Sequence, residues 1–397
     1  MRWTSPRVIR GNRGDIASRY AILQQLLDLG VDIGSVFAER EDHVPPALRD
    51  RIIGYGPLYN FWPRARGIAA LRRADAVVWT GGLDLQDDSS AIKLLHTWLV
   101  FLSYRLLGLK IFLAMQGAGP LTTALGRWLA RRVLSCVELA VVRDRGSYAL
   151  LAQLMKRDRL QLAADGIFLS GAPVTSTAAK PGGGRPTIGI NLRLWFHFSG
   201  SLIPYQFARQ RYADRARAPM EKLLSSMEAV IRHLRSTYDA RIVLLSMYEP
   251  GVESWEDDQS LLDGLKARFA EDDAVTCFRD DVSIADFFHV FKGLDLMIGM
   301  RLHSTLISLR CGTPAIHLAY TLKGADIYSD LGLKDWVVPV SDVLSDPASL
   351  IRPADAVLAD NAVLARTAKA SDTATRMNDA AMAAAITKFE GTHACAE

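Results

Sequence analysis

Paired cysteines are missing from this sequence of 397 residues. Its four cysteines, Cys136, Cys277, Cys311 and Cys395, stand far apart with no Cys-x-x-Cys spacing. That argues against a zinc site and against a disulfide framework, and points to a reducing compartment. Charge of one sign is missing as well. The 47 Lys and Arg nearly balance the 43 Asp and Glu, leaving +4, too balanced to argue for nucleic-acid binding, which favours a strongly basic face. There is no clear membrane span. The most apolar stretch, LLHTWLVFLSYRLLGLKIFLAM at 94–115, is interrupted by His96, Arg105 and Lys110, and Gly108 reads as a helix stop. A spanning helix needs about 20 mostly apolar residues, so a buried helix followed by a strand is the expectation. The opening MRWTSPRVIRGNRGD has no apolar core of a signal peptide. A cytoplasmic protein is expected. No His/Cys cluster calls for a metal, and no cofactor is indicated.

What is present is alternation. Short apolar runs at 7–11, 32–38, 75–81, 110–116 and 139–144 read as strands, with helical patterns between them. A second series follows at 187–193, 241–248, 275–280, 295–300, 314–320 and 335–340. Continuous apolar strands alternating with helices predict parallel sheets covered on both faces. Between the two series lies TSTAAKPGGGRP, 175–186, read as a linker. Its glycines lack the Lys-Ser/Thr of a phosphate loop. The expected fold is α/β, with two Rossmann-like domains facing a cleft: an N-terminal domain over 1–175, a linker over 176–186, a C-terminal domain over 187–352 and a helical segment over 353–397.

In such sheets ligands bind beyond the carboxyl ends of the strands. The segment IGMRLHSTLISLRCGTPAIHLAYTLKG, 298–324, places Arg301, His303 and Ser304 where a strand turns into a helix. A helix N-terminus beside an arginine makes an anion site. The next strand ends shortly before Lys323, which adjacency would bring towards Arg301 and His303. In the first half, GNRGD puts Gly14 and Asp15 after a strand. Asp15 reads equally well as a helix cap or as an acceptor of a hydroxyl proton. TGGLDLQDD brings Asp84, MQGAGP brings Gln116, and VVRDRGS brings Arg143, each at a strand end. The aromatic and basic segment 193–219, and LYNFWPRARG at 58–67, are candidates for a sugar platform or for contact with a lipid diphosphate or membrane surface.

With these motifs in order, NRGD, GGLDLQDD, QGAGP, RDRGS, GINLR, GMRLHS and Y-T-L-K, the sequence resembles the polysaccharide pyruvyl transferase family over roughly 8–335. The most specific piece is MRLHS followed by GTPAIHLAY. The resemblance implies a fold like the GT-B glycosyltransferases. It also implies transfer of a pyruvyl group from phosphoenolpyruvate onto two hydroxyls of a sugar, in a polysaccharide or its lipid-linked precursor, with release of phosphate. The positions matching Arg143, His303 and Lys323 are then donor-binding or catalytic. For such a reaction His303 is the candidate acid, since an imidazole exchanges protons near neutral pH, and Asp15 or Asp84 could take the hydroxyl proton. Arg301, Gly14, Asp84, Gln116 and Ser304 complete the expected substrate-binding set. Peripheral contact at the inner face of the cell membrane is compatible with this reading. A GT-B transferase using a nucleotide sugar, or a non-enzymatic binder of a phosphorylated metabolite, would share the same cleft.

Overall fold

The computed structural model describes residues 1–54, 65–87, 91–174, 184–194, 209–251 and 258–394. Two parallel sheets organise the chain. The first holds β1 (Arg2–Ser5), β2 (Asp32–Phe37), β3 (Ile52–Ile53), β4 (Ala76–Thr80), β5 (Lys110–Gln116), β6 (Leu139–Val142) and β7 (Leu160–Leu162), in the order β3-β2-β1-β4-β5-β6-β7. Its helices are α1 (Arg13–Asp28), α2 (Ala65–Arg72), α3 (Ala91–Leu106), α4 (Ala124–Ser135) and α5 (Arg145–Leu151). The second sheet holds β8 (Thr187–Asn191), β9 (Arg241–Leu245), β10 (Val275–Phe278), β11 (Leu296–Gly299), β12 (Ala315–Ala319) and β13 (Val337–Pro339), in the order β10-β9-β8-β11-β12-β13. With it go α6 (Arg209–Tyr238), α7 (Gln259–Ala267), α8 (Ile284–Lys292), α9 (Leu302–Arg310), α10 (Leu322–Asp330), α11 (Val340–Ser345), α12 (Ala348–Ala359) and α13 (Val363–Ala394).

The predicted pair of parallel α/β sheets is therefore present, and both follow the doubly wound order. Strand direction of growth reverses between β1 and β4 and again between β8 and β11. Those two switch points, at the carboxyl edges, are where such folds open a crevice. The apolar runs form strands because helices cover both faces. In β5, every residue after Lys110 is buried.

Several elements differ from the expectation. The first strand is Arg2–Ser5 and not residues 7–11. Pro6 has no N–H to extend the ladder, and Arg7 turns back to donate to the Thr80 carbonyl at 2.5 Å. Residues 7–11 are thus a loop leaving the carboxyl edge of β1. The strands β3 and β7 have two and three residues, too short to show a period. The C-terminal helices begin earlier than Pro353, at Ala348, whose N–H is capped by Asp346 Oδ1 at 2.9 Å. Most of the expected linker, most of 58–67, and residues 195–208 of the aromatic and basic segment 193–219 lie outside the described residues.

The two sheets are tied together from both ends of the chain. Helix α13 returns to the first sheet, where Phe389 packs against Trp3 and Phe112 at ring distances of 4.8 and 5.5 Å. The loop after β1 docks on the second sheet. Arg13 N–H donates to the Met247 carbonyl at 2.8 Å, and the Arg13 guanidinium lies 4.6 Å from the Phe287 ring. Glu249 accepts from the Gly11 N–H at 3.1 Å and meets His43 Nε2 at 2.7 Å, both in buried surroundings.

Candidate active site

The two switch points meet at His303. Asn12 caps α1 by accepting from the Gly14 N–H at 3.0 Å, which sets Gly14 and Asp15 in the first turn. Across the cleft, β11 ends at Gly299 and His303 occupies the first turn of α9. The imidazole packs directly on Gly14: a Cβ there would lie 2.3 Å from the His303 Cβ. Asp15 Oδ1 stands 3.5 Å from His303 Nδ1. On the other side of the ring, Asp165 Oδ2 stands 3.7 Å from Nε2. That separation is beyond hydrogen-bond reach but close enough for a strong Coulombic interaction.

Asp165 is fully buried, and its partner is Arg143, with Nη1 3.0 Å from Oδ2. Burial pushes the Asp165 carboxyl up. The Arg143 guanidinium and the His303 imidazole outweigh it and hold the carboxyl well below the usual range. Asp165 is fixed in turn by its own loop, where Oδ1 accepts from the Ile167 N–H at 3.1 Å, and by α13. Asn378 Nδ2 donates to the Asp165 carbonyl at 2.7 Å while its Oδ1 accepts from the Ala164 N–H at 2.6 Å. An array Asp15–His303–Asp165–Arg143 thus spans the cleft. His303 Nε2, Arg143 Nε and Gln116 Oε1 are buried and have no hydrogen-bond partner among the described residues. A cavity of about 430 Å³ opens beside Arg143 and Asp165, walled by Phe168, Ile327 and Leu333 with Arg366 and Lys369 at its side. That volume suits a small ligand.

Other expected residues sit apart from this array. Asp84 is buried and held by Arg7 at 3.0 Å, Lys93 at 3.5 Å and the Trp79 indole N–H at 3.0 Å. Burial raises its carboxyl, but Arg7 and Lys93 outweigh that and keep it below the usual range. Arg301 is buried too. Its Nε lies 2.8 and 2.7 Å from the two Asp258 oxygens, and its guanidinium stacks 4.8 Å from the Tyr248 ring. Its N–H donates to Asn191 Oδ1, so β8 fixes the turn after β11. The Ser304 hydroxyl closes that turn by donating to the Arg301 carbonyl at 2.7 Å. Gln116 Nε2 donates to the carbonyls of Gly82 and Gly117. Lys323 lies in the first turn of α10, next to α9 because β11 and β12 pair; its side chain is outside the described residues. Among the described residues no cluster of His, Cys, Asp and Glu suits a metal ion.

The profile of the polysaccharide pyruvyl transferase family matches residues 12–321. The chain belongs to that family. The matched span starts at the cap of α1 and ends at the entrance of α10, so it contains Asp15, Arg143, Asp165 and His303. Among curated proteins, the chain is similar to the amylovoran biosynthesis protein AmsJ of Erwinia amylovora, 24% identical over 300 residues, which cover 72% of this chain and 66% of AmsJ. The fold is that of GT-B enzymes. Sucrose-phosphate synthase of Thermosynechococcus elongatus superposes with a TM-score of 0.58 at 13% identity over the whole of both chains. The UDP-GlcNAc 2-epimerase of Methanocaldococcus jannaschii gives 0.52 at 11% identity, over 91% of this chain and 94% of its own. At such identities the likeness is one of fold.

Three residues of this site escaped the sequence reading. Asp165 follows β7, too short to be recognised, although the Asp-Gly pair after an apolar stretch was a turn signal. Asn378 lies on a helix far along the chain, and Asp258 precedes α7; neither has a local signature.

The contact between Gly14 and His303 yields a test. In Gly14→Ala the helical backbone accepts alanine, but the new methyl displaces the imidazole. Turnover is expected to fall by about 100-fold, as for a catalytic group moved by about 1 Å, and overpacking against the fixed His303 Cβ is expected to cost about 1–3 kcal/mol of stability. Wild-type turnover in this variant would show that the placement of His303 is not critical.

Proposed function

We propose that this protein transfers a pyruvyl group from phosphoenolpyruvate to two hydroxyls of a sugar, in a polysaccharide or its lipid-linked precursor, in the cytoplasm. The observation that carries this reading is the unpartnered edge of His303 beside the Arg143–Asp165 pair, at the meeting of both switch points, in a chain of this family. A guanidinium suits the carboxylate or phosphate of the donor. Arg143 and Lys323 neutralise those groups. Arg301, its charge balanced by Asp258, fixes the turn that carries His303.

In the first step the His303 imidazolium gives its proton to C3 of the enol, and a sugar hydroxyl oxygen bonds to C2. Asp15 takes the hydroxyl proton. Asp84, committed to three donors, serves as the anchor of the acceptor loop. In the second step the other hydroxyl attacks C2, the neutral His303 imidazole left by the first step takes its proton, and the C2–O bond to phosphate breaks, the phosphate leaving with the bonding pair. The ketal carries a methyl and a carboxylate, and inorganic phosphate is released. Imidazole is suited to the first step because it exchanges protons near neutral pH. Asp165 lies 3.7 Å from Nε2, on the side of the ring opposite Asp15.

Thermal unfolding with phosphoenolpyruvate, set against a panel of nucleotide sugars, tests the donor. At about 100 times its dissociation constant a ligand of the native state adds about 2.7 kcal/mol, a clear rise in the midpoint. The expected rise comes with phosphoenolpyruvate alone and is lost in Lys323→Ala. A rise only with a nucleotide sugar would reassign the site to glycosyl transfer.

A further inference from the structure

We propose that the outward faces of α3 and α4 dock this protein on an anionic lipid bilayer. The sequence pattern predicted that 94–115 would be buried. The structure buries one face of α3, through Leu94, Phe101 and Tyr104, and leaves an apolar face outside. Leu95, Leu99 and Leu106 fall within about 40° of one another on a helix of about 3.6 residues per turn. They are 40%, 53% and 80% exposed. Helix α4 packs alongside and adds exposed Leu125 and Trp128, and the rings of Trp98 and Trp128 meet edge to face at 5.7 Å across the seam. Most of the large apolar side chains exposed among the described residues lie on or next to these two helices. A contiguous apolar face of this kind marks an interaction surface.

Charge selects the partner. Residues 89–137 contain six Lys and Arg and no Asp or Glu; Lys93 meets Asp84 at 3.5 Å and Arg105 meets Glu138 at 3.9 Å, so the charge offered to a partner is that of the α4 arginines. Arg127, Arg131 and Arg132 are exposed on α4, and the Arg132 guanidinium lies 5.2 Å from the Trp128 ring. Leucine and tryptophan beside unopposed arginines are the composition of a helix that lies in a membrane interface, where anionic headgroups attract the basic side chains. Pairing with a second copy through this face would set like charges against each other. Among the described residues no helix is long and apolar enough to cross a membrane, so docking would be peripheral.

The orientation serves the cleft. Lys93 Nζ, near the start of α3, donates to the Leu83 carbonyl at 3.0 Å. Asp87 accepts from the N–H and hydroxyl groups of Thr122 and Thr123 at the start of α4. Both helices therefore begin at the loop that follows β4, at the edge of the switch point, and a docked molecule holds that loop near the lipid surface. Only this last consequence, delivery of a lipid-linked acceptor, rests on the function proposed above.

Vesicle sedimentation tests the surface, using phosphatidylcholine vesicles with and without phosphatidylglycerol. The wild-type protein is expected to bind the anionic vesicles and to have its tryptophan fluorescence quenched by brominated acyl chains. The double variant Leu95→Glu/Leu99→Glu and the triple variant Arg127→Gln/Arg131→Gln/Arg132→Gln should each bind about tenfold more weakly or less. Every substituted side chain is exposed, so folding should persist, and the midpoint shift with phosphoenolpyruvate checks the cleft separately. Absence of wild-type binding, or binding by both variants as strong as the wild type's, overturns the proposal. Self-association abolished by Leu95→Glu/Leu99→Glu, without vesicle binding, would assign the face to a second copy and also overturn it.

Discussion

On the proposed function, replacing His303 by glutamine is expected to lower turnover with phosphoenolpyruvate by about 100-fold or more and to leave the donor's dissociation constant close to wild type. Glutamine keeps a polar side chain of similar reach but cannot pass a proton. The imidazole lies between Asp15 at 3.5 Å and Asp165 at 3.7 Å, with Gly14 beneath it, and no other imidazole among the described residues shares that array. His317, the other histidine of the same motif, is no substitute. It is fully buried in β12, stacked at 5.5 Å on Tyr328, and burial lowers it to about 4, so it remains neutral. Single-turnover kinetics would separate the chemical step from binding. Turnover within a few-fold of wild type would remove His303 as the acid and shift the proton donor elsewhere in the cleft.

The second large effect falls on stability. Asp165→Asn removes the counter-charge of a buried guanidinium: Arg143 and Asp165 are both almost wholly inaccessible, and they meet at 3.0 Å. Breaking a buried pair by losing one partner costs about 3–5 kcal/mol, because the other charge remains uncompensated. Urea unfolding should register a loss of that size, together with near-complete loss of activity. The wild type should also show an acid limb that the variant lacks. The folded Asp165 carboxyl lies below its unfolded value of about 3.9. Its contribution is therefore present above that value and is lost as pH falls below it towards the folded pKa. Adding Arg143→Gln to Asp165→Asn should restore part of the stability, since no buried charge is then left unpaired. A change in Asp165→Asn smaller than about 0.5 kcal/mol, the usual range of surface substitutions, would mean that the pair is solvated.

Much of the architecture was legible in residue order. Runs such as KIFLAMQ and LMIG are too apolar and too short for anything but strands covered on both faces, and the helical patterns between them force parallel pairing. The same reading located the loops, because glycine, aspartate and arginine gather where strands end, and it picked out Asp15, Arg143 and His303. It failed where the signal is short or distant. The strand β7 has three residues, so Asp165 behind it went unnoticed. The region 94–115 was judged by its hydropathy alone, which cannot separate an apolar face turned to the core from one turned outward.

Local sequence determined the strands, the caps and the residue types at each strand end, since these depend on neighbours within a turn or two of chain. Partnership was decided only by the tertiary structure. Asp84 and Arg301 look like free site residues until Arg7 and Asp258 are seen to hold them, and His303 gains its place from Gly14 and Asp165, hundreds of residues or a whole domain away. The physical reason is the same in each case. A charge or an imidazole takes its role from what lies within a few ångströms, and long-range packing, including the return of α13 to the first sheet, sets those distances.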